Sequence, residues 1–214
     1  MSKEQKLIFN TIDLSEDEMY KLLRGSVVPR PIAWVSSKSK DGILNLAPFS
    51  FFTVASRNPP TLLISIGPGD NERKGSIKDT LTNIREVKEY IINMVPEQLG
   101  EAMYRSSASV EPEKNEFELA GVTAQNGRLL NAPAVLEAPI SIELRLDQII
   151  PVGGDHLVLG KVECVQIDEA IYTGNYKIAI DKWKPLANLA GDFARLMPSF
   201  SYEQVSMIEP INTT

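Results

Sequence analysis

Residues 30–54, "RPIAWVSSKSKDGILNLAPFSFFTV", decide the fold. Pro29 and Pro31 keep the chain out of a helix, so "IAWVSS" (32–37) reads as a strand. "KSKDG" holds Asp41-Gly42, a hairpin signal. "ILNLAPFSFFTVA" (43–55) then pairs back as a second strand. That second strand is irregular. Pro48 interrupts it, Phe51 and Phe52 stand side by side, and Asn45 and Ser50 sit inside an apolar run. A plain sheet core has little use for this mixture.

Working outward, further strands fall at 61–67, 90–95, 138–152, 156–170 and 176–180. Residues 138–152 alternate at period two, with Ile140, Ile142, Leu144 and Leu146 on one face. "LSEDEMYKLLRG" (14–25) is a helix with a Ser15/Glu18 capping box and Gly25 as its stop. Residues 78–89 form a second helix, capped by Asp79 or Thr80. A short one follows Pro96, and one turn is expected around Phe117. About seven strands joined mostly by turns do not make a βαβ sheet. The expected class is mainly β: an antiparallel barrel with small peripheral helices. There is no repeat and no break in composition. One domain over 1–214 is expected, with 181–214 as a C-terminal extension.

The chain has 214 residues, is 43% hydrophobic and carries a net charge of −6. A core of useful size is available, and the charge argues against nucleic acid as a partner. The one cysteine, Cys164, excludes an internal disulfide. The one histidine, His156, excludes a metal site built on two imidazoles, so no metal is expected. The N-terminus lacks the apolar core of a signal peptide, and no apolar run is long enough for a membrane span. A cytoplasmic protein without a membrane partner is expected. No P-loop or nucleophile elbow occurs, and "GPGDNE" is a poor Rossmann turn.

Two places remain for chemistry. One is the opening hairpin. The other is "KDTLTNI", a helix start preceded by Lys78, where free N–H groups and the dipole suit an anion. The plainer alternative is that Asp79 caps the helix and Lys78 is solvated. If hairpin and helix start share a groove, Ser36, Ser37, Ser50, Lys78 and Thr80 offer hydroxyls and charge to a phosphate. Backbone near Leu46 and Ala47, bent by Pro48, offers polar groups to the edge of a flat heterocycle. Trp34, Phe51 and Phe52 supply apolar walls. These are the requirements of flavin mononucleotide (FMN). Each element alone also reads as core or turn.

"RPIAWVSS", "GILNLAPFSFF", "NPPTLLIS" and "KDTLTNIREVKEYIINMV" together resemble the flavin reductase-like family, the FMN-binding split barrels, in the branch of flavoredoxin-type proteins. The similarity runs in order over residues 20–165. It implies a Greek-key split barrel, usually a homodimer, with FMN near the subunit interface. It implies that Asn45, Leu46, Ala47, Pro48, Phe49, Ser50, Phe51 and Phe52 line the isoalloxazine and ribityl chain. It places Ser36, Ser37, Lys78, Asp79 and Thr80 at the phosphate, with Arg30 and Trp34 on the same wall.

"GGDHLVLGKVE" is similar to the family's turn before a long strand. His156 there either positions a nicotinamide or bonds its own turn. The resemblance implies hydride transfer from NADH or NADPH to flavin, with a monooxygenase or other acceptor downstream. The alternative is an FMN-holding electron carrier without nicotinamide turnover. "PLANLAGDFARL" (185–196) departs from the glycine-rich segment of many relatives. That leaves the donor open, and the alternative use of the tail is dimer packing through Trp183, Leu189 and Phe193.

Overall fold

The computed structural model describes residues 6–202, apart from 70–72, 74 and 197. The last part of the expected extension, 203–214, lies outside the described residues, as does part of the "GPGDNERKGS" loop. The strands are β1 (Ala33–Lys38), β2 (Leu44–Phe49), β3 (Phe52–Arg57), β4 (Pro60–Ile66), β5 (Glu89–Met94), β6 (Ala124–Asn126), β7 (Pro133–Val135), β8 (Ile140–Val152), β9 (Asp155–Ile167), β10 (Leu186–Asn188) and β11 (Phe193–Arg195). The helices are α1 (Glu16–Ser26), α2 (Asp79–Val87), α3 (Gly100–Arg105), α4 (Glu116–Ala120) and α5 (Ile180–Trp183).

Seven strands form one antiparallel sheet in the order β2-β1-β5-β8-β9-β4-β3. Its two terminal strands, β2 and β3, are separated in sequence only by Ser50 and Phe51. Two residues cannot span an open seven-stranded sheet, because strands lie about 4.8 Å apart. The sheet must therefore curl until its ends nearly meet, and the result is an antiparallel Greek-key split barrel. Register shifts between β8 and β9, with Glu163 extra on β9 opposite Glu143/Leu144 and Asp147 extra on β8 between Leu146 and Gln148, supply local bend.

The curl buries β1 on both faces. Ala33 and Val35 point into the barrel core with Ile64, Ile92 and Leu144, joined by Leu81 and Ile84 of α2. Ile32 and Trp34 point outward into a second core with Leu46, Met103 and Phe117, closed by α3 and α4. The polar face of β8 is covered too. Glu143 is fully buried and accepts the backbone N–H groups of Arg128, Leu129 and Leu130 at 2.6–2.9 Å. These residues join β6 to β7, a small hairpin that sequence periodicity misses.

Several local expectations change. The stretch 43–55 is two strands, and the break falls at Ser50–Phe51, not at Pro48. Residues 176–180 are no strand. Asn175 and Tyr176 take positive φ, and only a single bridge joins Tyr172 to Ile178. The capping box of α1 is present, but Gly25 lies within the helix, which ends at Ser26. Neither Asp79 nor Thr80 caps α2; Lys78 is the N-cap residue and its side chain makes no cap bond. Trp183 is spent inside its own chain, packed with Ile140 and Ile171. No described helix is long and apolar enough to cross a membrane.

Candidate functional site

A groove opens where β2 meets the start of α2. Asn45, Ala47, Pro48 and Phe49 form one wall, and Lys78, Asp79 and Thr80 form the floor. Arg73 and Ser76 come from the preceding loop, the small residues 106–110 from the turn after α3, and Glu116 from the start of α4. The groove encloses about 180 Å³.

As the edge strand beyond β1, β2 presents alternate backbone groups to the groove side. Leu46 N–H points there and donates to Glu116 Oε2 at 3.2 Å. Pro48 is two residues on and in phase, so its missing N–H falls where no ladder partner exists. That is why a proline fits here without ending the strand. It also means that the Leu46 N–H is taken by Glu116, contrary to the expectation that it reads a ligand. Asn45 is equally committed. Its Nδ2 donates to Glu116 Oε1 at 3.0 Å, and its Oδ1 accepts from Thr80 Oγ1 at 2.7 Å and Ser37 Oγ at 3.2 Å. Asn45 thus ties β1, β2, α2 and α4 together beneath the groove.

Among the described residues, four charged groups line the groove. Arg73 grips Asp79 with both terminal nitrogens, one bond being 2.9 Å, and donates to Val110 carbonyl oxygen at 3.1 Å. The Asp79 carboxylate holds the Arg73 guanidinium above its ordinary pKa, and burial offsets part of the rise. Lys78 stands at the α2 N-terminus, where the first N–H groups and the dipole favour an anion. Glu116 is only 6% exposed. Burial pushes its carboxyl up to about 7, against hydrogen bonds from its own backbone, Leu46 and Asn45, and nearby Asp79 adds to the rise.

The other expected site residues lie elsewhere. Ser36 and Ser37 are fully buried. Ser36 Oγ donates to Pro133 carbonyl oxygen and accepts from Asn93, while Ser37 joins Asn45 and Asn83. Neither hydroxyl reaches the groove, because α2 and the β6–β7 arm cover them. Trp34 is buried in the second core, with Nε1 donating to Ser106 Oγ at 2.8 Å. Phe52 packs against the barrel core, and Phe51 stacks edge-on against Tyr20.

Arg30 is a strut. Its guanidinium donates to the carbonyl oxygens of Arg24, Val27 and Leu189, to Asn188 Oδ1 and to Ser50 Oγ. All five of its N–H donors are used. His156 stands opposite Ile66, at the end of β4 from which the loop carrying Gly69 and Arg73 departs, and it is not among the lining residues. Sequence reasoning missed Arg73, Ser76, residues 106–110 and Glu116. The run "SSAS" (106–109), four small residues between helices, was the one available signal.

Residues 24–196 match the model of the flavin reductase like domain. This chain belongs to the flavin reductase-like family. An uncharacterized protein of Aquifex aeolicus is 41% identical over 177 residues, covering 83% of this chain and 89% of that one. The crystal structure of nitrilotriacetate monooxygenase component B from Bacillus cereus superposes with a TM-score of 0.88 at 32% identity, covering 94% of this chain and all of that one. A protein with a split barrel domain from Shewanella frigidimarina superposes with a TM-score of 0.78 at 19% identity, over 94% of this chain and all of that one, which bears on the fold alone. Membership makes the chain a flavin-related oxidoreductase. The family match runs past residue 165 into the β10–β11 hairpin, which supplies the Asn188 and Leu189 partners of Arg30.

Proposed function

We propose that the chain binds FMN in this groove and takes a hydride from NADH or NADPH onto the flavin. The observation that carries the reading is the groove's mixed lining. Lys78, Arg73 and the α2 N-terminus suit a phosphate, and Ala47, Pro48 and Phe49 suit a flat apolar ring. When bound, FMN supplies the two-electron acceptor for hydride. The chain's part is to bind, orient and exclude water. Thr80 and Asn45 fix the helix start against the edge strand, so the phosphate anchor and the apolar wall keep one spacing. His156 is assigned a positioning role toward the nicotinamide.

At about 180 Å³, the groove is smaller than the ~300–1,000 Å³ of whole-ligand pockets. It takes the phosphate end and part of the ring, and a second subunit covers the rest. A homodimer is further supported by α1, which buries no residue, and by Leu7, Ile8 and Ile12, each more than 80% exposed. The similarity to a monooxygenase component supports an oxygenase, or another acceptor, as the destination of the electrons.

The test is a titration with FMN and riboflavin, followed by NADH and NADPH oxidation assays. FMN is expected to bind at least tenfold more tightly than riboflavin, and turnover is expected with one nicotinamide. Equal affinities would remove the phosphate anchor. Tight FMN binding with no turnover would leave an FMN-holding electron carrier. His156→Ala is expected to lower kcat/KM for the nicotinamide while leaving the FMN Kd unchanged.

A further inference from the structure

We infer that Glu116 is a proton-linked positioning residue of the groove: its carboxyl must take up a proton for an anionic ligand to bind, and in doing so it becomes a hydrogen-bond donor to that ligand. The inference rests on the flavin reading only for the identity of the anion.

The geometry carries it. Glu116 Oε1 and Oε2 already accept from Asn45 Nδ2 and Leu46 N–H. Each carboxyl oxygen has two lone pairs. A proton on a remaining lone pair leaves both bonds in place and points a donor away from β2. The neighbours fix the charge balance. Asp79 and Lys78 face the groove from α2, Arg73 from the preceding loop, and Glu111 acts on Arg73 from the α3–α4 connection. The contacts from β2 are uncharged. Among the described residues, two cations and two carboxylates line the groove, and these four charges cancel while Glu116 is ionised. Protonation removes one negative charge from the groove and adds one donor. An anion entering it favours that form, and by linkage the proton favours the anion.

With a carboxyl near 7, the protonated fraction falls about tenfold between pH 6 and pH 8. The test measures FMN and sulfate affinity at both pH values for the wild type and Glu116→Gln, whose amide keeps the shape and cannot ionise. FMN affinity of the wild type is expected to fall about tenfold more than that of the variant. The phosphate's own ionisation, near pH 6, acts on both proteins and cancels in the comparison. Equal falls would overturn the inference.

If neither protein binds FMN at any pH, the flavin reading fails and the sulfate arm decides. A pH-dependent sulfate Kd in the wild type alone supports the inference, while equal dependence or no binding overturns it. Should the variant not fold, a ¹³C carboxyl titration of the wild type replaces it, with and without sulfate. A side-chain glutamate resonance titrating near 7 that moves upward with the anion is expected. All glutamates titrating near 4–5, with or without sulfate, would overturn the inference.

Discussion

Two polar clusters flank β2, and the sequence presents them as one site. One is the groove of Asn45, Thr80, Arg73, Lys78 and Glu116. The other is the latch in which Arg30 joins α1, Ser50 and the β10–β11 hairpin. Both are centred on buried residues, Asn45, Thr80 and Glu116 in one and Arg30 in the other, and both are rich in hydrogen bonds. They differ in spare capacity. Every N–H of Arg30 has a protein acceptor, so nothing remains for a ligand. The groove keeps a helix N-terminus and, on Glu116, a carboxyl whose pKa burial has raised. A buried polar residue serves the fold when its capacity is exhausted and serves a ligand when some is left.

The largest test of that contrast is Arg30→Ala. It strands three backbone carbonyl oxygens and a side-chain amide in a site where Arg30 is only 5% exposed. At about 1–3 kcal/mol per buried unsatisfied group, tempered by relaxation, the loss of stability is roughly 3–5 kcal/mol. Urea unfolding checks it. The FMN affinity of the folded fraction is expected to stay within about threefold. A tenfold loss of affinity at unchanged stability would merge the two clusters into one site.

Glu116 gives the next effect, on the ligand-free protein. Its folded pKa of about 7 lies above the ordinary 4.5. Below about pH 4.5 both states hold the proton and there is no penalty. As pH rises to 7 the unfolded chain ionises first, so this group's contribution to stability is lost across that window and stays lost above it. The penalty is on the order of 3 kcal/mol at pH 8. Glu116→Gln is therefore expected to gain stability relative to wild type as pH rises from 4.5 to 7, read from urea midpoints at several pH values. A constant difference would return Glu116 to an ordinary carboxylate.

Lys78→Ala probes the ligand side of the contrast. Loss of a charge-assisted contact to phosphate weakens FMN binding by about 1.5–3 kcal/mol, roughly 10- to 150-fold, with riboflavin affinity little changed. Unchanged FMN affinity would take Lys78 out of the anchor.

The barrel was legible because strand periodicity and the Asp41-Gly42 and Gly153-Gly154 turns are local signals. The meeting of Asn45, Ala47, Pro48 and Phe49 with Lys78, Asp79 and Thr80 in one groove was legible for a similar reason, since a proline in a strand and a cation at a helix start mark themselves. Glu116 was not, because its partner Asn45 lies 71 positions away and α4 is a single short turn. Arg30 was misplaced because an arginine beside a proline looks alike in a strut and in a ligand wall. Its deciding partner, Asn188, is 158 positions distant. Ser36 and Ser37 failed similarly: their hydroxyls are consumed by Pro133 and Asn83, which no local pattern joins to β1.

Ser50 separates the two clusters with the smallest effect. Its position in the motif assigns it to the ribityl and phosphate end of a ligand. In the fold it lies in the break between β2 and β3, where its Oγ accepts from Arg30 Nε at 3.3 Å. That distance is at the long end for an N–H donor, so the bond is weak. Ser50→Ala is accordingly expected to cost about 0.5–1 kcal/mol of stability and to leave FMN affinity unchanged. The opposite pattern, a tenfold loss of FMN affinity at constant stability, would place Ser50 on the ligand and extend the groove across the β2–β3 break. The measurement thus locates the boundary between latch and groove to within one residue of Phe49, the last position of β2 that lines the cavity.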